Sequence, residues 1–111
     1  MPVYMYVSAS AEDKIQIFNI NLQTGGLTLQ GETAVPGSPS DLAISPDRKF
    51  VYVVRKGIQA ISTYSRNLKT GELTLIGTLE VGLEPGYVST DKKGNFLLST
   101  YFWVGDRKSV V

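Results

Sequence analysis

The sequence predicts an all-β fold made of four-stranded antiparallel units, the kind that form the blades of a β-propeller. Three observations lead to this prediction: a repeat with a period of 46 residues, short strand-like segments separated by turn signals, and no helical periodicity beyond a turn or two. A solenoid would have a shorter period with one strand in each copy, and a sandwich would not repeat its turns in register.

The repeat is visible when two ten-residue segments are compared. Leu22–Gly31 (LQTGGLTLQG) returns as Leu68–Gly77 (LKTGELTLIG), at an offset of 46 residues and with no gap. The same offset pairs Pro39 with Pro85, and it aligns Tyr4 with Phe50 and Phe96. Two unrelated hairpins would not keep this register, so we interpret the chain as tandem copies of one unit.

Each unit is predicted to contain four strands, which are clearest in the second copy. Leu42–Ser45 is a short apolar run, and Phe50–Val54 is rich in β-branched and aromatic residues. Gln59–Ser65 alternates apolar and polar residues, as a half-buried strand does, and the more polar Leu73–Leu79 is predicted to be outermost. Turn residues separate these strands at 46–49, 55–57 and 67–72.

The length of the chain limits how many units it can hold. With 111 residues it contains about two and a half units, whereas closed propellers have about four to eight blades. We therefore predict a single partial propeller over residues 1–111, with units at approximately 1–38, 39–84 and 85–111. We expect a fragment of a longer protein whose open sheet edges could allow self-association.

Composition excludes several classes of function. The net charge is +1, with 11 basic and 10 acidic residues, which argues against nucleic acid as a partner. Histidine and cysteine are both absent, so disulfides, thiolate chemistry and the commonest metal ligands are excluded, and no metal or cofactor is predicted. No signal-peptide pattern or membrane-length apolar run occurs, so we predict a cytoplasmic protein with no membrane partner.

Candidate site residues follow from the repeat, because propellers bind ligands at the mouth of the central channel. The loops that enter each innermost strand and leave the next strand gather there, which indicates Asp41 and Tyr87 at the entry and Arg55 and Tyr101 after the second strand. These positions vary between units, whereas the strands around them repeat. Site positions can vary in this way, while scaffold positions should repeat.

Each of these side chains has a functional and a structural interpretation. A planar guanidinium at Arg55 suits a phosphate or carboxylate, although it could be a solvated loop arginine. Asp41 could act as general base if burial raised its pKa, or it could be a turn residue. Tyr87 and Tyr101 could hydrogen-bond a sugar, or they could pack along the channel.

Several segments resemble the lactonase family of seven-bladed propellers. They are Ala43–Val53 (AISPDRKFVYV), Thr70–Thr74 (TGELT) and Val88–Asp91 followed by Gly94–Phe96. The resemblance implies hydrolysis of a phosphorylated sugar lactone of the pentose phosphate pathway by the full-length parent, a small-molecule substrate and no cofactor. Members often carry histidine where this chain has Tyr87, a departure in the pattern Pro85-Gly86-Tyr87.

Two alternatives to lactone hydrolysis remain open on sequence grounds. One is a non-enzymatic propeller that serves as a binding or interaction module, a common use of the fold. The other is a cyclase acting on a muconate-type dicarboxylate, which Arg55 would also suit. We expect this chain alone to be inactive, because an open array has no channel in which to orient a substrate.

Overall fold

A computed structural model describes residues 3–82, 85–93 and 97–100, with the backbone alone at 98–100. Within these residues, nine strands and two 3₁₀ turns account for all regular structure. The strands are β1 (Val3–Ala9), β2 (Lys14–Ile20), β3 (Leu27–Ala34), β4 (Pro39–Ile44), β5 (Phe50–Arg55), β6 (Ala60–Arg66), β7 (Leu73–Glu80), β8 (Tyr87–Thr90) and β9 (Leu97–Thr100), and the turns are Ser10–Glu12 and Lys56–Ile58.

Three antiparallel sheets are formed in chain order. The first contains β1-β2-β3, the second β4-β5-β6-β7 and the third β8-β9. The predicted all-β fold and the four strands of the second unit are confirmed, although β4 begins at Pro39 rather than at Leu42. Among the described residues, no helix is long and apolar enough to span a membrane.

The 46-residue repeat extends to details of the backbone. Asp13 and Gln59, one period apart, both adopt the left-handed conformation, with φ of 54° and 53°. Asn21 and Asn67 each accept two backbone N–H groups through Oδ1, an Asx turn that starts the connection to the outermost strand. The two copies therefore fold alike because they share turn chemistry as well as apolar pattern.

The main core lies between the first and second sheets. Its buried side chains come from both sheets and from the link after β3: Ile15, Val35, Val51, Val53, Tyr64 and Leu73. Burial raises the pKa of the Tyr64 hydroxyl. Apolar burial of this kind is the principal stabilising term in such small sheets, which are marginal in isolation.

Hydrogen bonds from β1 tie the first sheet to the second. The hydroxyl of Tyr4 donates to the Lys69 carbonyl (2.5 Å), and that of Tyr6 donates to the Gly71 carbonyl (2.7 Å). Alternate residues of β1 therefore point towards the second sheet, as the two-residue periodicity of a strand requires.

Candidate functional site

Three of the four predicted site residues lie at the same end of the second and third sheets. β4 begins and β5 ends there, since the two strands are antiparallel and Pro39 pairs with Arg55. Asp41 is the third residue of β4, and Tyr87 begins β8 one period later. Tyr101, the fourth predicted residue, lies outside the described residues.

Arg55 is held by hydrogen bonds within the protein. Its Nε donates to the carbonyl of Pro36 (2.7 Å), and its Nη1 donates to Oγ of the buried Ser62 (3.0 Å). The Ser62 hydroxyl also shares a hydrogen bond with Thr78 on β7 (2.9 Å). Arg55 thus joins the link between the first two sheets to the outer strands of the second sheet. Its binding of an anion stays a prediction.

Asp41 connects the second sheet to the third. Its Oδ2 accepts the backbone N–H of Val88 at 2.8 Å, and Val88 is itself buried. Asp41 therefore lies in a strand rather than in a turn, and its carboxylate fixes the backbone beside Tyr87. The role of Asp41 as general base stays a prediction.

Tyr87 presents a large exposed ring at this end. Its relative exposure is 58%, whereas the next residue, Val88, is 6% exposed. The hydrogen bond from the Val88 N–H to Asp41 anchors the backbone next to Tyr87. A ring that is both exposed and backbone-anchored is suited to contact a ligand with an apolar or sugar face.

A pair of serines beside these residues was not predicted from the sequence. The hydroxyl of Ser8 donates to the Ser40 carbonyl at 2.5 Å, which brings the end of β1 next to Asp41. The Ser40 hydroxyl is buried and has no partner among the described residues. The sequence does contain one indication of this site. Ser40 aligns with Gly86 one period later, so the repeat does not require a serine at this position.

Charges of both signs lie at this end of the described residues. Arg55 and Lys56 are positive, and the negative charges include Asp41 and Asp13, whose Oδ1 accepts the backbone N–H of Ser38 at 3.0 Å. The described residues contain no cluster of three or more His, Cys, Asp or Glu side chains that could hold a metal ion. The arrangement offers an acceptor, a phenol and a guanidinium, which can hydrogen-bond an oxygen-rich small molecule.

Repeated antiparallel sheets of this topology, with their first strands packed next to one another, define a partial β-propeller. The family model described as "Lactonase, 7-bladed beta-propeller" matches residues 3–90. The chain belongs to this family.

Similar proteins agree with that assignment. A 6-phosphogluconolactonase from Pectobacterium atrosepticum is 32% identical over 103 residues, which cover 92% of this chain and 30% of the relative. One from Enterobacter sp. (strain 638) is 28% identical over 108 residues, covering 91% and 30%. The crystal structure of a candidate 6-phosphogluconolactonase from Bacteroides uniformis gives a TM-score of 0.79 at 18% identity, covering 88% of this chain and 30% of that one. The chain thus spans about a third of such proteins.

Proposed function

We propose that the intact protein hydrolyses a phosphorylated sugar lactone, in the manner of a 6-phosphogluconolactonase. The observation that carries this proposal is the family match over residues 3–90, together with relatives of that name aligned over about nine-tenths of the chain. The substrate is a small molecule. The cytoplasmic location expected from the sequence stays a prediction.

The reaction opens the lactone ring with one water molecule. Water attacks the carbonyl carbon and loses one proton, so that its oxygen becomes part of the new carboxyl group. The bond from that carbon to the ring oxygen breaks, and the ring oxygen takes up a proton to become a hydroxyl. The residues of this chain would act on binding and on the attacking water. In the proposal Arg55 holds the phosphate, Tyr87 and Tyr101 contact sugar hydroxyls, and Asp41 is the candidate for the base.

The central test measures ring opening of 6-phosphoglucono-1,5-lactone by the intact protein. We expect hydrolysis well above the spontaneous rate, and a rate equal to the spontaneous one would refute the proposal. Product analysis should show the open-chain acid as the only new species. A muconate-type dicarboxylate assayed on the same preparation separates lactone hydrolysis from the cyclase alternative.

The role of Arg55 is tested by measuring how its substitution changes KM and how it changes the melting temperature. If Arg55 binds the substrate phosphate, Arg55→Met should raise KM about tenfold or more. Lys56→Met removes a charge from the adjacent residue and serves as the control, with KM expected to change less than about twofold. An unchanged KM for Arg55→Met, with a lowered melting temperature, would assign Arg55 a structural role only.

A second candidate function is that of a non-enzymatic binding module. It is favoured by one observation: Arg55 and Asp41 are both already engaged, through Pro36, Ser62 and Val88, in contacts that hold the sheets together. Such a protein would bind sugars or peptides at this end without turning them over. Binding of the lactone without ring opening would support it against the enzymatic proposal.

A further inference from the structure

An open cavity of about 550 Å³ lies at the opposite end of the sheets from Asp41 and Arg55. It is bounded by the start of β1, the end of β4 with the turn that follows, and the end of β6. Much of its wall is apolar, and this part is formed by Val3, Ile44, Pro46 and Leu68. Two arginines, Arg48 and Arg66, also line it.

Arg48 adopts a backbone conformation that is unfavourable for its residue type. Its φ of +64° lies in the left-handed region, where an arginine is strained and a glycine is not. The residue one period later is Gly94, so the repeat itself does not require a side chain at this position. Backbone hydrogen bonds hold this turn, from the Arg48 N–H to the Ser45 carbonyl (2.8 Å) and from Nη1 of Arg66 to the Arg48 carbonyl (2.8 Å). The Arg48 side chain itself makes no hydrogen bond or ion pair with any described residue, so it is free to bind a ligand.

Arg66, by contrast, is rigidly held. Its Nε donates to the Tyr6 hydroxyl (2.9 Å), and its Nη1 donates to the backbone carbonyl of Arg48 (2.8 Å). Its Cζ lies 5.3 Å from the centre of the Tyr6 ring, within cation–π distance. The equivalent residue of the first unit is Ile20, so the repeated strand pattern does not require an arginine here, although Arg66 contributes to the contact between the first two sheets.

We propose that this cavity binds a small organic phosphate whose apolar body packs against the wall of Val3, Ile44 and Leu68. A phosphate monoester is close to a dianion at neutral pH, so it matches the two positive charges of Arg48 and Arg66. Guanidinium groups bind phosphate through charge-assisted hydrogen bonds. The contacts that hold Arg66 use its Nε and Nη1, and its Nη2 has no hydrogen-bond partner among the described residues. This inference is independent of the lactonase proposal, because it concerns the other end of the sheets.

One negative charge also lines the cavity and has to be accounted for. Asp47 accepts hydrogen bonds at Oδ1 from the Ser45 hydroxyl (2.6 Å) and from the backbone N–H of Lys49 (3.0 Å). It therefore shapes the turn that carries Arg48, and it leaves the cavity with one net positive charge. Asp47→Asn keeps an acceptor oxygen for both donors and removes the charge, so it should tighten phosphate binding.

Calorimetric titration of the intact protein, at constant salt, tests the class of ligand. Phenyl phosphate carries both the dianion and an apolar ring, inorganic phosphate lacks the ring, phenol lacks the charge, and benzoate has a single charge. We expect phenyl phosphate to bind at least about tenfold more tightly than each of the other three. Benzoate or phenol binding as tightly as phenyl phosphate would overturn the proposal, and so would no binding of phenyl phosphate.

Variants test the location of the site. Arg48→Gly restores the residue found one period later and relieves the backbone strain, so it should fold well and bind phenyl phosphate about fivefold or more weakly. Lys92→Gly is the control, since it removes a lysine from the equivalent turn of the third sheet and should leave binding unchanged. Equal affinity for Arg48→Gly and wild type would overturn the proposal.

The proposed lactone site could itself bind a phosphate. A further variant shows at which end of the sheets phenyl phosphate binds. Arg55→Met should leave the affinity for phenyl phosphate within about twofold of wild type if the ligand lies between Arg48 and Arg66. A large loss of affinity in Arg55→Met, with none in Arg48→Gly, would assign the bound phosphate to the other end and refute this inference.

Discussion

Two glycines one period apart form a matched pair for measuring how much a Cβ at this turn position destabilises the fold. Both Gly25 and Gly71 have φ near +75°, at 74° and 79°. A Cβ on Gly71 would lie 3.0 Å from two ring carbons of Tyr4 and 3.1 Å from Cγ2 of Ile17, whereas a Cβ on Gly25 meets nothing within 4 Å. Of these two positions, only Gly71 has no room for a Cβ, because the first sheet packs against it.

We expect Gly71→Ala to destabilise the protein more than Gly25→Ala does. The left-handed backbone lowers the free energy of unfolding of both variants by about 1–2 kcal/mol. Overpacking lowers that of Gly71→Ala by about 1–3 kcal/mol more. Urea unfolding of the two variants beside wild type measures the difference directly. Equal losses would mean that the first sheet does not pack on the second as described.

The turn after β4 contains a carboxyl whose pKa is set by its neighbours. The hydrogen bond from the Ser45 hydroxyl, with a further one from the Lys49 N–H, lowers the pKa of Asp47 from its ordinary value of 3.8. Because the folded-state pKa is lowered, Asp47 stabilises the fold above pH 3.8 and loses this effect as the pH falls through the folded value.

Ser45→Ala removes the larger cause of that shift. We expect the Asp47 carboxyl to titrate nearer to its ordinary pKa of 3.8 in Ser45→Ala than in wild type, as followed by NMR. The stability difference between the two proteins should also shrink as the pH falls below 3.8, since protonated Asp47 no longer distinguishes them. Identical titration midpoints would contradict the assigned cause.

At the scale of elements, β1 is attached to the second sheet by hydroxyl groups as well as by apolar packing. The Tyr6 hydroxyl donates to the Gly71 carbonyl and accepts from Nε of Arg66. Tyr6→Phe should therefore cost about 1–2 kcal/mol, because it leaves a partly buried donor and acceptor without partners. Tyr52→Phe, one period later, is the control in the 111-residue chain, where its hydroxyl has no hydrogen bond to a described residue. Thermal unfolding that shows equal losses would refute this role of Tyr6.

Strands and turns were predictable because their signals are local. The alternation in Gln59–Ser65 and the repeated Thr-Gly turns at 24–25 and 70–71 act over a few residues. The structure follows them except at Gln59, which precedes β6 in the left-handed conformation. The attachment of Arg55 to Ser62 and the bond from Asp41 to Val88 depend on how strands pack side by side. The sequence therefore indicated which positions share an end of the fold, but not that two of them are engaged in structural contacts.

At the scale of the whole molecule, one sheet face is covered less by the described residues than its repeat equivalent is. The register pairs Met5 with Phe18, on the face of the first sheet opposite to Tyr4 and Tyr6. One period later, Val51 and Tyr64 are buried against the first sheet. Met5 and Phe18 themselves remain only half-buried in the described part of the chain. A face of this composition fits the surface that another unit of the same repeat presents.

We therefore expect the isolated 111-residue chain to self-associate, with a trimer as the preferred closed form, because three chains hold about seven units. Light scattering on a sizing column measures the mass. Val7→Lys places a charge on the uncovered face and should shift the chain towards monomer, whereas Gln23→Lys, in an exposed turn, should not. A wild-type chain that stays monomeric would show that this face needs units from elsewhere in a longer protein, and lactone hydrolysis should then be sought only there.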